Sequence, residues 1–223
     1  MQTSAPKVPY CEAIRKPAIQ RGRHKRQSGG HGQFGDVVLE IAPLPRGSGF
    51  VFEDRITGGV VPRNYIPGVE AGVRDYLQRG PLGFPVVDIA VALIDGSYHT
   101  VDSSEQAFRT AARIAMQEAM PNCAPVLLEP ILHVEIVAPS EATAKVNAIV
   151  ASRRGHILGF DTRSGWPGWD QVSAQLPQVE LQDLITELRS VSQGVGTYTW
   201  RFDHLQELTG RLADDIVSST KAA

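Results

Sequence analysis

Cysteine is nearly missing from this chain: Cys11 and Cys123 are the only two among 223 residues. They lie far apart and form no metal-ligand pattern, which excludes a disulfide framework and fits a reduced compartment with buried or incidental thiols. No run of about 18 uninterrupted apolar residues occurs, so no helical membrane span is expected. The start, Met1-Gln2-Thr3-Ser4, lacks the apolar segment of a secretory signal. No G-x-x-x-x-G-K-[ST] phosphate loop occurs anywhere, which removes the commonest nucleotide-triphosphate site. Low-complexity segments and short repeats are absent as well.

What is present is ordinary in amount and uneven in placement. The length suits one large domain or two ordinary ones, and 42% apolar content is usual for a folded chain. The formal net charge of −2 hides an asymmetry: residues 1–125 hold 14 Lys and Arg against 12 Asp and Glu, and residues 126–223 hold 8 against 12. Arg15, Lys16, Arg21, Arg23, Lys25 and Arg26 fall within twelve residues, with His24 among them and no acid. Such a cluster attracts polyanions, phosphate backbones above all; charge alone fits a solvated loop equally well.

Periodicity predicts the elements. Residues 8–14 read as a short strand entering the basic segment. Gln27-Ser28-Gly29-Gly30-His31-Gly32-Gln33-Phe34-Gly35 follows, with four glycines in its last seven residues, a loop whose amides can approach a ligand closely. Residues 37–41 and 50–54 are strand candidates around a Pro/Gly-rich turn and are expected to form a hairpin. Residues 67–78 are helical, ended by Gly80-Pro81, and residues 86–94 are a strand. A helix then runs to Met120, where Pro121 stops it. A boundary is expected at 125–130, beyond which the pattern restarts: a strand at 131–137, a helix closed by Gly155, strands at 156–161 and 172–176, a helix at 179–191 and a strand at 196–202. That order, β-α-β-β-α-β, is the split βαβ arrangement of ferredoxin-like folds. The tail after Leu208 is weakly patterned and expected to fray.

One stretch organises the first half: Gly96-Ser97-Tyr98-His99-Thr100-Val101-Asp102-Ser103-Ser104. Gly96 and Ser97 read as a turn after the strand. Ser103 reads as a helix N-cap with Gln106 in the capping-box position, which leaves His99 presented outward near the apex. His99, Asp102 and Ser103 are too close in sequence for a hydrolytic triad, and Ser103 is assigned to the cap. His24, His31 and His99 have no nearby thiols, so no zinc site is expected. The remaining chemistry is binding: amides and cations for phosphate, with Tyr98 and His99 able to stack on bases or reach a 2′-hydroxyl.

At these residues the chain resembles bacterial elongation factor G. The glycine-rich stretch from Gln27 to Gly35 is similar to the first tip loop of that family's fourth domain. Tyr65-Ile66-Pro67, Gly80-Pro81-Leu82, the His99 stretch and Pro125-Val126-Leu127-Leu128-Glu129-Pro130 look like its other signature blocks. Arg153-Arg154-Gly155 and Leu188-Arg189-Ser190 resemble the fifth domain. The resemblance covers roughly residues 6–205, and the blocks in order are far more specific than any one alone.

The resemblance implies an α+β chain of two domains: residues 1–125, a ribosomal-protein-like β-α-β domain with a left-handed crossover, then residues 126–205, a ferredoxin-like split βαβ domain, with residues 206–223 as a tail. It implies the C-terminal part of a ribosomal GTPase, without GTPase activity or a cofactor of its own, GTP and magnesium belonging to an absent N-terminal domain. The implied partners are ribosomal RNA, messenger and transfer RNA at the decoding site, and the GTPase centre of the large subunit, for a cytoplasmic monomer that binds no membrane. The implied contact residues are Lys25, Arg26, Gln27, Ser28 and Gly29, then Gly30, His31, Gly32 and Gln33, and from the second loop Ser97, Tyr98, His99, Asp102 and Ser103. His99 matches the tip histidine. The implied role is to occupy the decoding site in translocation or ribosome recycling, and the alternative is a stand-alone RNA-binding or ribosomal protection-type protein without GTPase activity. His31 stands where the family usually has Arg, and Phe34 where it has Tyr, which exchanges a permanent charge for a titratable one. With Leu181-Gln182-Asp183-Leu184, Val195-Gly196 and Trp166-Pro167-Gly168-Trp169 also unusual, a divergent paralogue is expected.

Overall fold

Most of the cationic stretch is a strand rather than a loop. After β1 (Cys11–Ile14), β2 (Ala18–Arg26) pairs antiparallel with β3 (Gln33–Pro43), setting Arg21, Arg23 and Lys25 opposite Val38, Asp36 and Phe34. β2 lies at a sheet edge, where charged side chains discourage pairing with other chains. The structure, a computed structural model, describes residues 8–27, 29–30 and 32–222, the last by its backbone only. It divides into two units: Tyr10–Leu128 with the chain from Glu207 onward, and Glu129–Gln206 with the described residues before Tyr10.

In the first unit β4 (Phe50–Asp54), α1 (Ile66–Leu77), β5 (Ile89–Ser97) and α2 (Glu105–Ala119) complete a four-stranded sheet of order β2-β3-β5-β4 with two helices. The expected hairpin of residues 37–41 with 50–54 does not form. β5 runs between β3 and β4, antiparallel to the first and parallel to the second. The crossing is held by Asp88, buried at φ 57°. Its carboxylate accepts the amides of Gly47 at 3.1 Å and Gly49 at 3.0 Å and the Arg46 guanidinium at 2.9 Å. These bonds hold the turn against the start of β5, so the chain passes beyond that strand instead of folding back on β3. Gly96 and Ser97 likewise end β5 and are not a turn.

The core joins Val37, Leu39 and Ile41 of β3, Ile89, Val91 and Leu93 of β5, Val69 and Val73 of α1, and Phe108, Ala111, Ala115 and Met116 of α2. The alanine-rich face of α2 lets it lie against the β2–β3 hairpin almost backbone to backbone. A Cβ at Gly22 would stand 2.2 Å from the Ala111 carbonyl oxygen, so only glycine fits there. β1 pairs with the first residues of β6 (Pro125–Pro139), from Cys11 opposite Leu128 to Ile14 opposite Pro125. The tail expected to fray is helical: α5 (Arg211–Ala222) buries Ala213, and Leu82, Val126, Leu127, Leu208 and Val217 line a cavity of about 310 Å³ beside it.

In the second unit β6 continues through α3 (Thr143–Ser152), β7 (His156–Thr162), β8 (Trp169–Pro177), α4 (Leu184–Val191) and β9 (Thr197–Leu208). The sheet order β9-β6-β8-β7 is the ferredoxin-like one. Leu132, Val134 and Ile136 meet Val146 and Val150 of α3 and Leu184 and Leu188 of α4 in its core. The second helix begins later than the expected residue 179: a 3₁₀ turn over Gln178–Leu181 comes first, and Asp183 at φ 58° breaks the path before α4. At the start of α3, Ser140 and Thr143 donate to Asp170 at 2.7 and 2.6 Å, and these bonds, Thr143's foremost, hold its carboxyl below the usual range.

Glu12 on β1 makes the stability of the fold depend on pH. It is fully buried; one oxygen accepts the amides of Leu82 at 3.0 Å and Phe84 at 3.1 Å, and the other has no hydrogen-bond partner among the described residues. Burial pushes its carboxyl up to about 7, against the lowering effect of the Phe84, Leu82 and Gly83 amides and of Lys221. The folded state therefore binds this proton more tightly than the unfolded one. The stabilisation is complete below the unfolded value of 4.5 and is lost as pH rises through about 7. The thermal stability of the wild type should fall between pH 5 and 8, and Glu12→Gln should remove most of that slope, a difference on the order of 3 kcal/mol at the alkaline end. Parallel slopes for the two proteins would rule the buried carboxyl out as its source.

Candidate nucleic-acid interface

Two loops meet at one end of the first unit's sheet. One joins β2 to β3 through residues 27–32; the other joins β5 to α2 through residues 98–104. The register brings them together: Arg26 faces Gln33, and Asp36 faces Ser97. A short ladder then ties them. The Phe34 amide donates to the Asp102 carbonyl at 2.8 Å, and Phe34 and Ser103 form a parallel bridge. Ser103 Oγ donates to the Phe34 carbonyl and accepts the His99 amide, each at 2.9 Å.

This corrects the assignment of the cap. Ser104 is the N-cap of α2, accepting the Ala107 amide at 3.1 Å, while the Ser103 hydroxyl is committed to the other loop. The hydrolytic reading fails for a better reason than the one read from sequence: Ser103 Oγ is spent on two backbone groups, and His99 meets it through the main chain. Asp102 serves the same junction. Its Oδ1 accepts the Gly32 amide at 3.1 Å, and a Cβ on Gly32 would stand 2.7 Å from that carboxylate.

The resulting cavity, about 350 Å³, is lined by Arg23, Lys25, Arg26, Gln27, Gln33, Phe34, Tyr98, His99 and Asp102. Three cations face one carboxylate there. The Arg23 guanidinium lies 5.3 Å from the Phe34 ring centroid, and the His99 ring lies 6.3 Å from the same ring. Tyr98 and His99 are about half exposed. Such a concave site with cations and accessible rings can hold phosphate and stack a base.

Of the residues expected from sequence, Lys25, Arg26, Gln27, Gln33, Tyr98, His99 and Asp102 share this cavity, and Gly32 and Ser103 hold its walls. Ser97 turns away, donating to Asp36 Oδ2 at 2.6 Å. Burial alone would raise the Asp36 carboxyl, but hydrogen bonds from Arg21 and Ser97 hold it low. Gly29 and Gly30 are not among the described lining residues, and Ser28 and His31 lie outside the described residues. Arg23 and Phe34, not among the implied contact residues, line it as well. The signal for Arg23 is its two-residue spacing from Lys25, legible once residues 18–26 are a strand, and Phe34 lies in the glycine-rich stretch itself. No group of three His, Cys, Asp or Glu able to hold a metal occurs among the described residues. In the second unit the Arg153-Arg154-Gly155 block is occupied internally: Arg154 makes two bonds to Glu129 at 2.9 and 3.1 Å, and Arg153 donates to the carbonyls of Glu180 and Gln182.

Comparison with known proteins gives a consistent result. The family model described as elongation factor G, domain IV, matches residues 6–124, and that described as elongation factor G C-terminus matches residues 126–216. An elongation factor G-like protein of Synechocystis sp. (strain ATCC 27184 / PCC 6803 / Kazusa) is 60% identical over 216 residues, covering 97% of this chain and 32% of that protein. A crystal structure of a Thermus thermophilus protein superposes with a TM-score of 0.91 at 40% identity, covering 99% of this chain and 33% of that one. The chain thus spans about a third of the length of these relatives.

Two substitutions separate the roles of the adjacent serines. Ser104→Ala should lower global stability by about 1 kcal/mol, the usual effect of losing an N-cap, read by denaturant unfolding. Ser103→Ala should leave helix stability nearly unchanged and speed amide exchange at His99, whose amide the Ser103 hydroxyl accepts. The reverse pattern would return the cap to Ser103.

Proposed function

The chain belongs to the elongation factor G family, and from that premise we propose that it is the ribosome-contacting C-terminal part of an elongation factor G-like GTPase. In this reading the glycine-rich loop and the His99 loop enter the decoding site of the small subunit, beside messenger and transfer RNA. They occupy that space during translocation or ribosome recycling, and the second unit lies toward the GTPase centre of the large subunit. The protein works in the cytoplasm, as protein synthesis requires. The observation that carries the reading is the cavity at the junction of the two loops, where Arg23, Lys25 and Arg26 surround exposed rings on a backbone held by Ser103 and Asp102.

GTP and magnesium belong, in this proposal, to another region of the full-length protein. The residues at hand do not fit them: the sequence has no phosphate-loop motif, and no metal-ligand cluster occurs among the described residues. The contribution of this chain is contact, steric and electrostatic. Cations that touch phosphate displace condensed counterions, so affinity falls steeply with salt.

Binding of the 223-residue chain to ribosomes across a salt series tests this directly. Lys25→Ala and Arg26→Ala should each weaken binding and reduce the slope of log K against log salt by about 1. The purified chain should hydrolyse no GTP. Binding that is independent of salt and indifferent to both substitutions would remove the interface from the cavity.

A further inference from the structure

The His99 ring is held by its own loop in an uncommon way. Its Nδ1 accepts the amide of Asp102 at 3.1 Å and that of Val101 at 3.3 Å. Two backbone N–H groups converging on one ring nitrogen require a lone pair there, so the neutral ring carries its hydrogen on Nε2. The Asp102 carboxylate lies beside the ring, with Oδ2 at 3.5 Å from Nδ1. That is beyond a good hydrogen bond, and the other oxygen of the same carboxylate takes the Gly32 amide at 3.1 Å. The main chain behind the ring is equally constrained, since the His99 amide donates to Ser103 Oγ, which in turn donates to the Phe34 carbonyl. Nε2 has no hydrogen-bond partner among the described residues, and the ring lines the cavity beside Arg23, Lys25 and Arg26.

We propose that His99 meets RNA as a neutral hydrogen-bond donor through Nε2–H, its tautomer imposed by the amides of Val101 and Asp102, with Ser103 as the positioning residue. The inference rests on the reading of this end as an RNA contact and deepens it. The partner atom is an acceptor, and the surrounding cations favour an oxygen of the ribose-phosphate backbone. A ring held this way neither abstracts a proton through Nδ1 nor stands in for a permanent cation. It offers one directed N–H bond at a fixed place.

Nitrogen–proton correlation spectra of the chain with labelled histidine, at neutral pH, read the tautomer without the ribosome. The expected signature for His99 is a protonated Nε2 and an unprotonated Nδ1. A hydrogen on Nδ1, alone or with one on Nε2, overturns the inference and leaves the reading of the interface intact. Ser103→Ala should shift His99 toward a mixture of tautomers while the rest of the spectrum persists; a His99 signature unchanged in that variant removes Ser103 from the positioning role. On ribosomes, His99→Gln, whose amide reaches the region of Nε2, should keep most of the affinity, whereas His99→Ala and His99→Phe should each lose about 3- to 10-fold, the value of one hydrogen bond. Affinity kept by Phe but lost by Ala would make the contact a stack and overturn the donor role. Affinity kept by all three would overturn the donor role and the interface together.

Discussion

The ladder between Phe34 and Ser103 is the constraint on which the loop end of the first unit depends. Each loop alone would be weakly determined: one is rich in glycine, and the other is a seven-residue connection between strand and helix. Joined by the Phe34 amide, the Ser103 hydroxyl and the Asp102 carboxylate, they become one surface. The fit is close enough that a side chain at Gly32 would have to displace the Asp102 carboxylate. In the proposed reading that rigidity matters, because a directed contact loses less entropy on binding when its side chain is already held.

Beneath that end, buried polar groups act as pins rather than as chemistry. Asp36 gathers Arg21 and Ser97 under the cavity. Asp88 gathers the Arg46–Gly49 turn and, through Arg46, reaches Glu207, which Arg15 also pairs. In the second unit Glu129 is met by Arg154 and Asp170 by Ser140 and Thr143. Each carboxylate is satisfied several times over, as burial of charge demands. Glu12 is the exception, with one oxygen unpartnered among the described residues and its carboxyl pushed up by burial.

This division bears on the signature blocks that mark the family. Several of them serve packing. The Gly80-Pro81-Leu82 block supplies one of the amides that receive Glu12, and the Arg153-Arg154-Gly155 block closes ion pairs inside the second unit. The His99 block differs: Asp102 and Ser103 tie it to Gly32 and Phe34 of the other loop, while the His99 ring remains half exposed. A motif can therefore identify a family through residues that only build the fold, while a smaller set faces outward.

The sequence by itself determined the helices α1, α2 and α3, the β-α-β-β-α-β order of the second half, and two loops rich in residues that suit phosphate. Those features follow from local periodicity and turn chemistry, which act over a few residues. It did not determine that β5 would separate β3 from β4, because that choice rests on Asp88 reaching back to Gly47 and Gly49 across some forty residues of chain. It could not place Arg23 and Phe34 in the cavity, because their meeting depends on strand register. Nor could it tell Ser103 from Ser104: adjacent serines are equal candidates for a cap until the tertiary structure offers one of them the carbonyl of Phe34. Hydrogen bonds between residues distant in sequence, invisible to any local pattern, decided which side chains the two joined loops present.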